Sequence, residues 1–134
     1  MNAPLGLAEL SALGEQLGAE LPAGAVVWLD GPLGAGKTTL ARAIAQGRGV
    51  GEAATSPTYA LVHHYHGPRG DLYHLDCYRL RTPDDAADLA WDQLATADLL
   101  LIEWPERAGA WALAPSVRVA IGHAEADTRT VIIS

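Results

Sequence analysis

Residues 30–42 read DGPLGAGKTTLAR, and this stretch decides the fold. Before it stands AVVWLD (25–30), a short, apolar, β-branched run whose pattern predicts a buried strand. After it, TTLARAIAQGRG reads as a helix ended by Gly47 or Gly49. Between the two, Gly31 to Thr38 satisfy G-x-x-x-x-G-K-[ST] without a gap, in the strand–loop–helix setting that gives the motif its meaning. Glycines let backbone N–H groups converge on an anion, and the helix start adds partial positive charge. Lys37 is the only lysine in the chain; arginine fills every other such position. A compact ammonium suits the inside of such a loop, where it would meet β- and γ-phosphates, whereas a planar guanidinium fork does not. The Thr38 hydroxyl is then within reach of Mg²⁺.

Outward from the loop, residues 7–21 place Leu10, Leu13, Leu17 and Leu21 on a helical stripe that Pro22 and Gly24 stop. On the C-terminal side, TSPTYALVHHYHG (55–67) opens as a loop and becomes a strand, GPRGD is turn chemistry, and LYHLDCY (72–78) is a second strand. Residues 83–90 predict a short helix with Pro83 in its first turn. DLLLIEW (98–104) is another buried strand, and SVRVAIG with TRTVIIS predicts a closing hairpin. The order implies an α/β fold: a single P-loop NTPase domain over residues 1–134, with a mostly parallel central sheet, antiparallel additions and helices on both faces.

A phosphate loop needs a carboxylate beside the metal, usually at the end of an apolar strand. Glu103 ends the strongest apolar run, and Asp76 stands near another strand end; in a parallel sheet such ends collect at the ligand crevice. Ser56 and Thr58, between the first motif's helix and the next strand, are candidate γ-phosphate sensors. His64 and His66 share one strand face while His63 points the other way. With no cysteine beside them and no second ligand pair, they read as solvent-facing strand residues. Cys77, Trp28, Trp91 and Trp111 read as packing.

The chain of 134 residues is 49% hydrophobic and 19% charged, which suits a packed core. Its net charge of −7 disfavours direct nucleic-acid binding. One cysteine excludes an internal disulfide. The N-terminal stretch has no cation before Lys37 and no run long enough for a membrane span, so a cytoplasmic protein with no membrane association is expected.

GPLGAGKTTLAR, SPTYALVHHY, YHLDCYRL and LIEWPER, in this order and spacing, resemble the bacterial ATPase family of tRNA threonylcarbamoyladenosine biosynthesis, the TsaE or YjeE family. The resemblance covers nearly the whole chain. It implies a small P-loop ATPase that binds ATP and Mg²⁺ and hydrolyses ATP to support or reset a complex of TsaD- and TsaB-like proteins, meeting tRNA only indirectly through that complex. By motif, Gly34, Ala35, Gly36, Lys37, Thr38 and Thr39 would cradle phosphates. Thr38 and Glu103 would lie near Mg²⁺, Asp76 would be the catalytically important acid, and Arg129 would lie near the nucleotide. Lys37, Asp76 and Glu103 are thus the expected catalytic set. The chain departs from the family's usual pattern at Pro32, where an acid is common, and at Leu10, where a polar residue near the base is common.

Rival classes are testable from the same residues. A GTPase needs N-K-x-D, which a chain with Lys37 as its sole lysine cannot contain. A small-molecule kinase normally carries an arginine-rich lid, and HHYHGPRGDLY supplies only Arg69. A nucleotide-dependent switch would bind ATP with negligible turnover of its own.

Overall fold

The computed structural model describes residues 4–50 and 62–134. Ser56 and Thr58 lie outside the described residues. The elements are α1 (Leu7–Glu20), β1 (Ala25–Asp30), α2 (Lys37–Gly47), β2 (Val62–Gly67), β3 (Gly70–Asp76), α3 (Trp91–Leu94), β4 (Leu99–Glu103), β5 (Val117–His123) and β6 (Arg129–Ile133). Two 3-10 turns, Pro83–Ala86 and Pro105–Trp111, complete them.

The strands form one sheet in the order β2-β3-β4-β1-β5-β6. The inner pairs β3–β4, β4–β1 and β1–β5 are parallel. The two edge strands, β2 and β6, pair antiparallel to their neighbours. This is the expected α/β architecture, and the two hairpins supply the antiparallel additions.

Because side chains alternate across a strand, each inner strand divides its apolar residues between two cores. Val27 and Leu29 of β1 and Leu99 and Leu101 of β4 join Leu10, Leu40 and Ile44 of α1 and α2. Leu100 and Ile102 face the other way, into a cluster with Leu75, Ala86, Trp91 and Leu94. One face therefore carries two long helices, and the other is covered by α3 and the 3-10 turns. The leucine stripe of α1 packs as its spacing predicts: Leu10 and Leu21 are buried, and Leu13 and Leu17 lie against the same core. Gly18 sets the closeness of α1 to α2, since a Cβ there would stand 2.0 Å from the Ile44 carbonyl oxygen.

The structure corrects three local expectations. The helix expected at 83–90 is a 3-10 turn, Pro83–Ala86, in which the Asp85 carboxylate accepts bonds from the Arg81 and Thr82 amides and draws the chain into a tight cap. The second strand of the central hairpin is Gly70–Asp76 rather than 72–78, because the turn at Pro68–Arg69 is tight and pairing runs to Gly67–Gly70. Trp111 is 44% exposed, at the end of a 3-10 turn, and is not a packing residue. Trp28 and Trp91 do pack, each donating its indole N–H to a backbone carbonyl, those of Leu113 and Ala86. Cys77 is fully buried, and burial pushes its thiol up to about 12, which leaves it unreactive.

At the opposite end of the sheet from the glycine-rich loop, Arg48 ties three elements together. Its guanidinium donates Nε to Asp98 Oδ2 at 2.8 Å and Nη2 to Asp98 Oδ1 at 3.0 Å, a bidentate pair. It also donates to the carbonyls of Gly18 and Leu21 at the end of α1. Among the described residues no helix is long and apolar enough to cross a membrane.

Candidate functional site

The loop between β1 and α2 turns on Gly36, whose φ of +111° is open to glycine but strained for other residues. This residue caps α2, so the helix starts directly behind the loop and its first N–H groups face out of the loop end. A Cβ placed on Gly34 would meet nothing within 4 Å, so the loop borders open space there rather than core.

Lys37 is buried at the first turn of α2. Its ammonium donates to the carbonyl oxygens of Gly31 and Pro32, the latter at 3.1 Å, and lies 4.0 Å from the centroid of the Trp104 ring. Burial pushes the ammonium's pKa down, against the pull of Glu103, Asp76, Glu106 and Asp30. It remains a cation set among carbonyls and an aromatic face, positioned to exchange those partners for an anion.

Strand parity brings the acids to the same spot. Asp76 and Glu103 are register partners at the carboxyl ends of the parallel pair β3–β4, and both fall on the α2 side of the sheet. Thr38 Oγ1 lies 3.0 Å from Glu103 Oε2 and 3.2 Å from Oε1, a hydroxyl–carboxylate pair. Two hard oxygen donors this close, beside an ammonium and a helix start, fit Mg²⁺ in the company of phosphate oxygens. Asp76 is half-buried and its Oδ1 accepts from the Tyr78 amide at 3.0 Å, which fixes the carboxylate at the strand end.

Gly34, Gly36, Lys37, Thr38, Thr39, Asp76 and Glu103 line one groove of about 290 Å³, together with Leu33, Tyr78 and Trp104. Ala35 is buried beneath the loop. Arg129 donates its Nε to the Ala35 carbonyl at 2.8 Å and lines an adjoining groove with Gly6 and Leu10, which shares Gly34, Gly36 and Thr39 with the first.

Three participants went unmarked in the sequence reading. His74 is buried on β3, with Nε2 2.5 Å from Glu103 Oε2. Burial alone would push the Glu103 carboxyl up; the hydrogen bond and charge of His74, the Thr38 hydroxyl and Lys37 outweigh it and hold it below the usual carboxylate range. The signal was available, since His74 stands two residues before Asp76 and therefore on the same strand face. Tyr78 and Trp104 form an aromatic lip, with ring centroids 5.0 Å apart. Trp104 takes a left-handed backbone, φ +56°, directly after Glu103, and this turns its ring over Lys37. Nothing in the side-chain pattern announces that conformation.

Comparison with known proteins agrees on one family. A family model described as threonylcarbamoyl adenosine biosynthesis protein TsaE matches residues 6–131. The chain is 40% identical over 119 residues to the tRNA threonylcarbamoyladenosine biosynthesis protein TsaE of Streptomyces coelicolor, covering 87% of this chain and 80% of that protein. It is 40% identical over 99 residues to the Nostoc protein of the same name, covering 71% of this chain. That match spans 61% of the Nostoc protein, and the match to the Synechocystis relative spans 62% of its length, under two thirds in both cases. Among solved structures, Bacillus subtilis YdiB superposes with a TM-score of 0.74 at 27% identity, over 98% of this chain and 84% of that one.

Proposed function

The chain belongs to the TsaE family, whose members act in tRNA threonylcarbamoyladenosine biosynthesis, and from that premise we propose that it is a Mg²⁺-dependent ATP hydrolase of this pathway. The observation that carries the reading is the groove where Lys37, Thr38, Asp76 and Glu103 converge at the start of α2.

In this reading the amides at the turn around Gly34–Thr38 donate to phosphate oxygens, and the helix start favours their charge. The Lys37 ammonium leaves the Gly31 and Pro32 carbonyls for the terminal phosphates. Thr38 Oγ1 and a Glu103 oxygen would hold Mg²⁺, which would supply positive charge to offset that of the phosphates. His74 keeps the Glu103 carboxylate turned toward Thr38. Asp76, held by the Tyr78 amide, orients the attacking water and accepts its proton. Arg129 keeps the loop in shape through Ala35. To Ser56 and Thr58, which lie outside the described residues, we assign the role of γ-phosphate sensors.

The acidic chain, with net charge −7, is a poor ligand for tRNA by itself. We therefore assign its ATP turnover to supporting or resetting a TsaB–TsaD-like complex in the cytoplasm. The test is ATP hydrolysis with the purified chain alone, and again with the TsaB–TsaD pair and tRNA. Slow turnover alone and faster turnover with the complex are expected. ATP binding with negligible hydrolysis under every condition would make the chain a nucleotide-dependent switch. Phosphorylation of a small acceptor without added protein would make it a kinase.

A further inference from the structure

We propose that His64, His66 and Asp71 form a divalent-cation site of the zinc class on the β2–β3 hairpin, on the face turned away from α1 and α2. Read alone, the two histidines lack a third ligand, and the hairpin supplies it. His66 and Asp71 are register partners across the antiparallel pair, and His64 lies diagonally from Asp71 on the same face. His64 Nε2 stands 3.1 Å and His66 Nδ1 3.0 Å from the same oxygen, Asp71 Oδ1. One ligand atom from each of the three residues lies within 4.8 Å of the other two.

The spacing suits a metal centre. Ligands about 2.0–2.1 Å from a tetrahedral Zn²⁺ are about 3.4 Å from one another. The observed nitrogen–oxygen distances need to open only by a few tenths of an ångström, within the play of exposed side chains. Two restraints preset the geometry. The His64 ring stacks on Tyr73 with centroids 4.4 Å apart and planes 17° apart, and His66 meets the His64 ring edge-on at 4.4 Å.

Two imidazoles and one carboxylate select a borderline cation such as Zn²⁺, Ni²⁺ or Cu²⁺, and leave at least one position for water. Mg²⁺ and Ca²⁺ prefer all-oxygen shells and are not favoured here. This site is separate from the nucleotide groove. It is on the other face of the sheet from Thr38 and Glu103, and Asp71 stands five residues from Asp76 along β3, about 16 Å at strand rise. A metal held there would pin the edge strand β2 to β3.

The test uses the full chain, stripped with chelator and free of nucleotide, titrated calorimetrically with ZnCl₂. One equivalent is expected to bind. His66→Ala and Asp71→Asn are each expected to weaken binding by about tenfold or more, since even loss of outer-sphere partners costs that much at metal sites. Glu103→Gln is expected to leave it unchanged. A second readout keeps the wild-type chain: in ¹⁵N spectra, zinc should shift His64 Nε2 and His66 Nδ1. No saturable binding would overturn the proposal. So would binding that survives both hairpin substitutions, or zinc-induced shifts confined to other histidines.

Discussion

His74 Nε2 and Glu103 Oε2 are 2.5 Å apart, with both side chains buried between the sheet and α2. The pair explains how a carboxylate can stay ionised in an apolar strand end and remain turned toward Thr38. Removing the imidazole leaves the buried carboxylate with the Thr38 hydroxyl as its remaining side-chain donor, a loss of roughly 1–3 kcal/mol for a hydrogen bond to a charged group. His74→Ala should therefore lower the urea midpoint and reduce ATP turnover together, while His74→Gln, which retains a donor, should recover part of both. An Ala variant as stable and as active as wild type would remove His74 from the account.

Glu103→Gln preserves shape and hydrogen bonding but not charge. It should bind a fluorescent ATP analogue nearly as wild type does and lose Mg²⁺-dependent hydrolysis by a factor of about 100 or more, the scale of losing a positioned charge at a reacting phosphate. Single-turnover assays across a Mg²⁺ series check this. Turnover that persists would reassign the metal ligand.

At the other end of the sheet, Arg48→Ala would strand Asp98, which is 8% exposed. Breaking one side of a buried ion pair costs about 3–5 kcal/mol. Arg48→Leu combined with Asp98→Leu should be more stable than Arg48→Ala alone. Thermal melts of the three proteins decide it, and a double variant no better than the single one would contradict the desolvation argument.

The pH dependence has a defined sign at His63. Burial lowers its imidazole below the ordinary 6.5, His74 and Arg42 act in the same direction, and Asp76 and Glu103 oppose them. The unfolded chain takes up the proton more readily. His63 thus contributes stability that is full above about pH 6.5 and is lost as pH falls through its lower folded value. Between pH 7.5 and pH 5 the wild-type denaturation midpoint should fall further than that of His63→Gln. Equal falls would show that another group carries the acid sensitivity.

Much of this was legible in the sequence because it rests on strong local rules. The stretch at 30–42 predicted strand, loop and helix together, since the glycines, the lone lysine and the flanking periodicities agree. The apolar run before Glu103 located β4, and Asp76 fell at a strand end as expected. What the sequence hid depends on cross-strand register or on single backbone angles. The Asp71 partner of His66 becomes visible only once β2 and β3 are paired. The left-handed Trp104 follows an apolar strand with no glycine to mark the bend. The Arg48–Asp98 pair joins residues fifty positions apart, beyond the reach of any local pattern. The 3-10 turn at Pro83–Ala86 replaced a helix because the side chain of Asp85 outcompetes the backbone over so short a segment.

The central claim is that Lys37 and the loop before α2 grip the terminal phosphates of ATP. The most direct measurement is equilibrium binding of ATP with Mg²⁺ to wild type, Lys37→Ala and Lys37→Arg. The account predicts that both variants lose at least an order of magnitude in affinity, because the second restores charge but not the compact ammonium. Unchanged affinity in Lys37→Ala, with ATP turnover intact, would contradict it.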